Sequence, residues 1–305
     1  MKSITYLAHT DDLDGLLSHA VMRRTHLLGG PRVENVEITY ANIVDVVRNL
    51  RVEEGRLIIG DTGYNATLNA LEPEFRKLKE KEISVEWFDH HDWSHSDRSL
   101  ERFIELTLNP RKCTTELVQE RFLPRDEYAI TLSQLAHQSD FGEKNPDVIL
   151  LENAVQANYK RMQIIREIAS GNLRTKTLRE AVAKYKEKEG PAKERMIKNA
   201  ELIRINGIKM VISIADKLFY MKAGADYLLS EFPEADLAAT VFETGEIIFK
   251  KQSDTKLDLP RLGRIFNGGG REHGSGGIVL LPSISGESRQ RVYGFVAEKI
   301  EKEYF

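Results

Sequence analysis

The chain has 305 residues, 41% hydrophobic and 30% charged, with 44 basic and 47 acidic side chains and a formal net charge of −3. That is enough chain for two domains with a sizeable core, it lacks the bias of a disordered polymer, and its acidic balance argues against a broad basic footprint for long duplex DNA. One cysteine, Cys113, permits no internal disulfide; no apolar run approaches the ~20 residues of a membrane span, and SITYLA has no signal-peptide architecture, so a cytoplasmic protein is expected.

In chain order, KSITYLA predicts a strand and Leu16 to about Leu28 a helix. VENVEITY predicts a second strand, followed by a helix carrying Ile43, Val44, Val47 and Leu50. RLIIG is a short apolar strand; a helix from about Ala66 to Lys81 and the strand ISVEWF follow. Such alternation predicts an α/β fold whose mostly parallel sheet is covered on both faces, with ligands beyond the carboxyl ends of the strands. Thr114 as N-cap begins a helix reaching Phe122, and another from Arg125 to His137 delivers Gln138, Ser139 and Asp140 to its end.

From about Asp147 the texture changes. Ile149, Val155, Ile164, Ile165 and Ile168 form a helical pattern closed by Gly171, and a Lys/Glu-rich helix from Leu178 to Glu189 is expected to stop at Gly190 and Pro191. A third helix through Met196, Ile197, Ala200 and Ile203 is expected to end at Asn206 and Gly207. IKMVISI then opens a second α/β unit, with a helix around Tyr220 to Ser230, a hairpin of DLAATVF and EIIFKK about ETG, and a short helix from Leu262 to Phe266. GGGREHGSGG and IVLLP complete it. The expected division is an α/β domain with a mostly parallel sheet over residues 1–148, a helical connector over 149–206 and a smaller α/β domain over 207–305.

The densest chemistry is His9, Asp12 and Asp14 in HTDDLDG, Asp61 in GDTG, and Asp89, His90 and His91 in FDHH. His9, Asp61 and Asp89 each follow an apolar strand candidate, so distant segments converge on one sheet edge. With Asp140 added, His9, Asp12, Asp14, Asp61 and His90 form a nitrogen and oxygen donor set without thiolate. It suits Mn²⁺, Mg²⁺, Co²⁺ or Zn²⁺, and its mixed composition favours Mn²⁺. The carboxylates suffice for two divalent ions about 3.5–4 Å apart that share one of them. Taken singly, each aspartate reads equally as a turn former or helix cap, but capping requires neither His9 nor paired histidines. Asp12 and Asp14, two apart in an extended segment, can face the same way while Leu13 turns aside; Asp11 is a rival to Asp12. His19 and His26 read as packing or surface groups, His137 as structural, and Trp93 as either a base-stacking ring or a loop closure.

In the glycine-rich run, Gly268, Gly269 and Gly270 can expose consecutive N–H groups to an anion. Arg271 adds a fork of donors matched to phosphate, and His273 and Ser275 add further bonds. The plainer alternative is a tight turn between helix and strand. The run is neither a dinucleotide fingerprint nor a P-loop.

Together these motifs resemble the DHH phosphoesterase superfamily, named for the tripeptide seen here as Asp89, His90 and His91. HTDDLDG, GDTG, FDHH and QSDFG resemble its four motifs in order, and GGGREHGSGG resembles the signature of the DHHA1 substrate domain, so the resemblance spans residues 9–277. It implies that His9, Asp12 and Asp61 hold one metal while Asp14, Asp61, His90 and Asp140 hold the other, with Asp61 shared. His91 would lie nearest the substrate phosphate as charge stabiliser or acid, and Asp89 would orient an imidazole. Arg271 stands where members commonly have histidine.

The implied activity, similar to that of the oligoribonuclease and RecJ-like group, is metal-dependent hydrolysis of short single-stranded oligonucleotides or dinucleotides to mononucleotides. The two domains suggest a cleft that grips one phosphate while the next linkage is cut. Cyclic-dinucleotide or 3′-phosphoadenosine 5′-phosphate hydrolysis is the alternative. A noncatalytic single-strand-binding module would need a stacking surface, which a chain with 8% aromatic residues does not single out. No membrane partner is expected, and a homodimer is a candidate assembly.

Overall fold

The computed structural model describes residues 3–305 other than 95, 96, 98, 143, 144, 216, 220, 221, 273, 282, 283, 285 and 286. The chain divides into two compact units, Met1–Tyr185 and Lys186–Phe305.

The first unit begins with β1 (Ile4–Ala8), α1 (Leu13–Leu27), β2 (Val33–Glu37), α2 (Ile43–Asn49) and β3 (Arg56–Gly60). It continues through α3 (Glu72–Glu80), β4 (Ser84–Asp89), β5 (Glu105–Leu108), α4 (Thr114–Phe122), α5 (Glu127–Phe141), α6 (Pro146–Gln156) and α7 (Arg161–Ala169). The boundary between units falls inside α8 (Lys176–Asn199). The five strands form one parallel sheet in the order β2-β1-β3-β4-β5. Side chains alternate across it, which is why the central strands are apolar on both sides. Tyr6, Ile58 and Phe88 join the core under α1, α4 and α5, whereas Leu7, Ile59 and Trp87 join the opposite core with Leu68 and Phe75. Val148, Val155, Ile164, Ile168 and Leu178, from α6, α7 and the start of α8, bury in the first of these cores.

Several element boundaries differ from the expected ones. Asp12 caps α1 by accepting the Gly15 N–H at 3.0 Å, so the helix starts at Leu13 and takes in Asp14, which is helical and not extended. The helix expected over Ala66–Lys81 is a 3-10 helix, Ala66–Leu71, followed by α3. Pro73 suits a first turn, where its missing N–H costs nothing. The expected stop at Gly190 and Pro191 does not occur: α8 runs through both, carried by Leu178, Ala181, Ala192 and Met196, which are buried on either side of the two residues.

The helix expected through Ile203 is a strand. In the second unit β6 (Glu201–Ile205) pairs with β7 (Ile208–Ala215), with Ile205 opposite Ile208. Asn206 and Gly207 are therefore a two-residue hairpin turn, and their φ values of 46° and 86° are the left-handed pair that a type I′ turn needs. The unit continues with α9 (Lys222–Glu231), β8 (Leu237–Phe242), β9 (Glu246–Lys251), α10 (Leu259–Ile265), β10 (Gly269–Arg271), β11 (Gly274–Ile278) and α11 (Arg289–Glu303). Its six-stranded sheet, β10-β11-β9-β8-β7-β6, is mixed, with β7 and β8 parallel and the other pairs antiparallel. Ile212, Val241 and Phe249 pack with Leu262, Phe266 and Val296 in its core. The DLAATVF and EIIFKK hairpin forms as expected. Among the described residues no helix is long and apolar enough to cross a membrane.

Candidate metal centre

The first sheet reverses its strand order at β1 and β3, since β2 lies on one side of β1 and β3 on the other. Chains leave such a switch point in opposite directions and open a crevice at the carboxyl edge. Leu7 is in register with Ile59, and Ile59 with Trp87. Two residues further along each strand stand His9, Asp61 and Asp89, so the side chains expected to converge are brought to one level.

Three overlapping groups gather there, each with its ligand atoms within 4.8 Å of one another: His9, Asp12 and Asp61; Asp14, His90 and Asp140; and Asp61, Asp89, His90 and His91. His9 Nε2 lies 3.1 Å from Asp61 Oδ2, and His9 Nδ1 lies 3.8 Å from Asp12 Oδ1. His90 Nε2 lies 3.3 Å from Asp61 Oδ1 and 3.8 Å from Asp14 Oδ2, while its Nδ1 is 3.2 Å from Asp140 Oδ2. Asp61 thus turns one oxygen to each side. It adopts φ 51°, a left-handed conformation costing a non-glycine residue on the order of 1 kcal/mol, held by the surrounding core.

The donor set fits divalent cations. Although His9 Nε2 is near, buried Asp61 Oδ2 accepts no hydrogen bond among the described residues, and buried His9 Nδ1 makes none among them either. Such groups are costly to bury unless something else coordinates them. Burial and Asp61 push Asp14 up to about 7. Burial opposes charge on His90, yet Asp140 and Asp61 outweigh it and hold the imidazole up to about 9. For Asp61 burial is again the larger single influence, but His9 and His90 together keep its carboxyl well below the usual range. Carboxylates outnumber imidazoles in this cluster, and divalent cations would supply the missing positive charge. These clusters of aspartate and histidine could coordinate two divalent ions.

The surrounding contacts fix the individual side chains. Asp14 spends both oxygens on the start of α4, accepting the Thr115 N–H at Oδ1 and the Thr114 N–H at Oδ2, each at 2.8 Å. That is the N-terminal end of a helix, where donors are unsatisfied and a negative charge is favoured. Asp11 points elsewhere: Oδ1 accepts Arg161 Nη1 from α7 at 2.7 Å, leaving Asp12 beside His9. His90 Nδ1 lies 3.1 Å from the Lys112 carbonyl. His91 Nδ1 is 2.7 Å from Asp89 Oδ1, and the Trp93 indole N–H donates to Asp89 Oδ2 at 2.5 Å. Trp93 is buried and packed edge-on to Trp87, which makes it a buried prop under Asp89 and not an exposed ring. His19 is buried against the Ala8 carbonyl and lowered to about 4 by burial, so it stays neutral, and His137 pairs with Glu116.

The glycine-rich run is the β10–β11 hairpin of the second unit. A Cβ on Gly268 would lie 2.0 Å from the Gly276 carbonyl oxygen, and one on Gly270 2.4 Å from Ser275 Cα, so close backbone packing alone demands both glycines. Among the described residues a Cβ on Gly269 would meet nothing within 4 Å, so packing does not explain its lack of a side chain. Arg271 ends β10, the buried Ser275 hydroxyl has no hydrogen-bond partner among the described residues, and His273 lies outside them.

The amides of Thr114 and Thr115, the Lys112 carbonyl, Arg161 and the Trp93 prop were not anticipated. Each acts through a backbone group or a contact distant in sequence, for which no local pattern exists.

No family model and no curated protein matches the chain. Solved structures match it throughout its length. RecJ from Thermus thermophilus in complex with Mn²⁺ is 13% identical with a TM-score of 0.61, over 99% of this chain and 52% of that one. The fold is of the RecJ type. An exopolyphosphatase-related protein from Bacteroides fragilis is 14% identical with a TM-score of 0.53, over 98% of this chain and 93% of that one. An exonuclease RecJ bound to manganese is 12% identical with a TM-score of 0.52, over 99% and 89%. Both the parallel-sheet unit and the mixed-sheet unit lie within the matched length. The chain spans about half the length of the Thermus RecJ. At such identities the likeness is one of fold, and the chemistry rests on this chain's own side chains.

Proposed function

We propose that the protein is a divalent-metal-dependent phosphodiesterase that hydrolyses short single-stranded oligonucleotides from a chain end, releasing mononucleotides. The observation that carries this reading is the pair of Asp/His groups meeting at Asp61 in a RecJ-type fold. His9, Asp12 and Asp61 would hold one ion and Asp14, Asp61, His90 and Asp140 the other, with Mn²⁺ favoured by the mixed donors. Bound there, the ions would supply Lewis acidity, lowering the pKa of an attacking water and offsetting charge on the phosphate.

The residues of the chain do the positioning. Asp14 is fixed by the α4 amides and His90 by the Lys112 carbonyl, so both present ligand atoms without reorganising. Asp89 engages His91 Nδ1, leaving Nε2 as the nitrogen from which a proton would pass to the leaving oxygen. The nuclease name of one structural neighbour favours a nucleic acid end as substrate. In the second unit Gly269 and Arg271 would grip a further phosphate, so Arg271→Ala should lower kcat/KM for oligonucleotides more than for a small artificial phosphodiester.

Product analysis with Mn²⁺ on end-labelled di- to decanucleotides tests the reading, with adenylate dinucleotides, 3′-phosphoadenosine 5′-phosphate and pyrophosphate in parallel. Mononucleotides released from one labelled end are expected. Turnover of the phosphomonoester or pyrophosphate alone would refute it.

A further inference from the structure

Tyr40 lies three residues beyond the carboxyl end of β2, the neighbour of β1, and the residue is 40% exposed. Its hydroxyl oxygen accepts the Gly63 N–H at 3.0 Å, two residues past Asp61. Gly63 in turn lies against the candidate acid, since a Cβ built on it would stand 2.8 Å from His91 Cβ. The phenol oxygen is thereby held beside the candidate metal centre, in a residue that is partly exposed.

A phenol accepts through its oxygen and has one hydrogen to donate. Among the described residues the Tyr40 oxygen accepts from Gly63, and no acceptor takes the Tyr40 hydrogen. Burial, followed by Asp89, Asp61 and Asp12, raises this phenol far above its ordinary value. A phenol carries its proton at neutral pH, so the hydroxyl has a hydrogen to give. What remains is a neutral donor, oriented by a backbone amide and lacking an acceptor, beside residues that would bind cations and through them a phosphate.

We propose that the Tyr40 hydroxyl donates a hydrogen bond to a non-bridging oxygen of the substrate phosphate; the inference rests on the phosphodiesterase reading above. A donor of this kind favours the phosphate group whichever base it carries, and it gains strength as charge builds on that oxygen.

The test compares wild type, Tyr40→Phe and Tyr40→Ala for bound Mn²⁺, for kcat and KM on a diribonucleotide and on bis(p-nitrophenyl) phosphate, and for ³¹P relaxation of orthophosphate by bound Mn²⁺. Tyr40→Phe keeps the ring and is expected to keep the metal, to lose roughly 10- to 100-fold in kcat/KM on both substrates, and to weaken orthophosphate binding. Wild-type kinetics in Tyr40→Phe overturn the proposal, even if Tyr40→Ala is impaired, because the ring would then act by packing or stacking. Loss of Mn²⁺ from Tyr40→Phe also overturns it. If the wild type cleaves no phosphodiester, the enzymatic reading fails by itself and the orthophosphate arm still decides Tyr40: weaker binding by Tyr40→Phe supports the donor role, and equal binding ends it.

Discussion

Asp11 and Asp12 are adjacent in sequence and separated by their partners. Asp12 stands with His9 and Asp61, whereas Asp11 pairs with the nearly buried Arg161. Asp12→Asn should therefore release metal from the first group while leaving the fold intact. Asp11→Asn should keep its metal and lose stability on the order of 1 kcal/mol, because a nearly buried guanidinium exchanges its nearest counter-charge at 2.7 Å for a neutral amide and keeps only Glu37 Oε1, at 3.6 Å. Metal analysis beside denaturant unfolding distinguishes them, and metal loss as severe in Asp11→Asn as in Asp12→Asn would reverse the assignment. A similar contrast divides the tripeptide: His90 reaches Asp14, Asp61 and Asp140, and His91 reaches Asp89. His90→Ala should lose metal. His91→Ala should retain it and slow turnover by roughly 10²- to 10⁴-fold, as removal of a general acid does. Equal metal retention by the two variants would contradict this division.

At the scale of elements, the β10–β11 hairpin is held together by glycines that admit no side chain. Gly268→Ala would drive a methyl group into the Gly276 carbonyl, and the backbone shift that follows should destabilise the second unit by about 1–3 kcal/mol. Thermal unfolding measures it, and an unchanged midpoint would show that the hairpin opens to admit the methyl group. Elements whose neighbours write a local pattern were legible in the sequence. Those are β1, β3 and β4, largely apolar on both faces and leading into His9, Asp61 and the Asp89–His91 tripeptide, and the β8–β9 hairpin with its ETG turn. The short edge strand β5 was not, because only one of its sides is paired and its residues are largely exposed. Asn206 and Gly207 are legible as a chain break but read as a helix end, since the residues before them fit helical spacing; pairing of Ile203 with Met210 decides otherwise. His9, Asp12, Asp61 and His90 of the candidate metal cluster could be picked out as residue types following strands, and Asp140 as a carboxylate at the end of a helix. The supports of that cluster could not, because the Thr114 and Thr115 amides and Arg161 meet it only after α4 and α7 have packed.

For the molecule as a whole, the candidate metal centre couples stability to pH. Burial and Asp61 raise Asp14 to about 7, and His90 reaches about 9 through Asp140 and Asp61 despite its burial. Both groups bind a proton more tightly in the folded chain than in the unfolded one. Their stabilisation of the metal-free protein is full below the unfolded values of 3.8 for the carboxyl and 6.5 for the imidazole, and it is lost as pH rises through about 7 and about 9 respectively. Divalent ions compete for the same atoms, so Mn²⁺ should bind more tightly as those protons leave. The melting midpoint of metal-stripped protein should fall between about pH 6 and pH 9 while the increment conferred by Mn²⁺ grows. Calorimetry with and without Mn²⁺ across that range reads both, and an increment that shrinks towards high pH would contradict the coupling.

The most direct measurement is hydrolysis of an end-labelled diribonucleotide by metal-stripped protein as Mn²⁺ is added, with bound Mn²⁺ counted in the same samples for wild type and Asp61→Asn. The wild type should be inert in chelator and gain activity as it fills to two ions per chain, and Asp61→Asn, lacking the carboxylate that faces both groups, should achieve neither. Full turnover in chelator, or wild-type rates from Asp61→Asn with two ions bound, would contradict a shared two-metal centre.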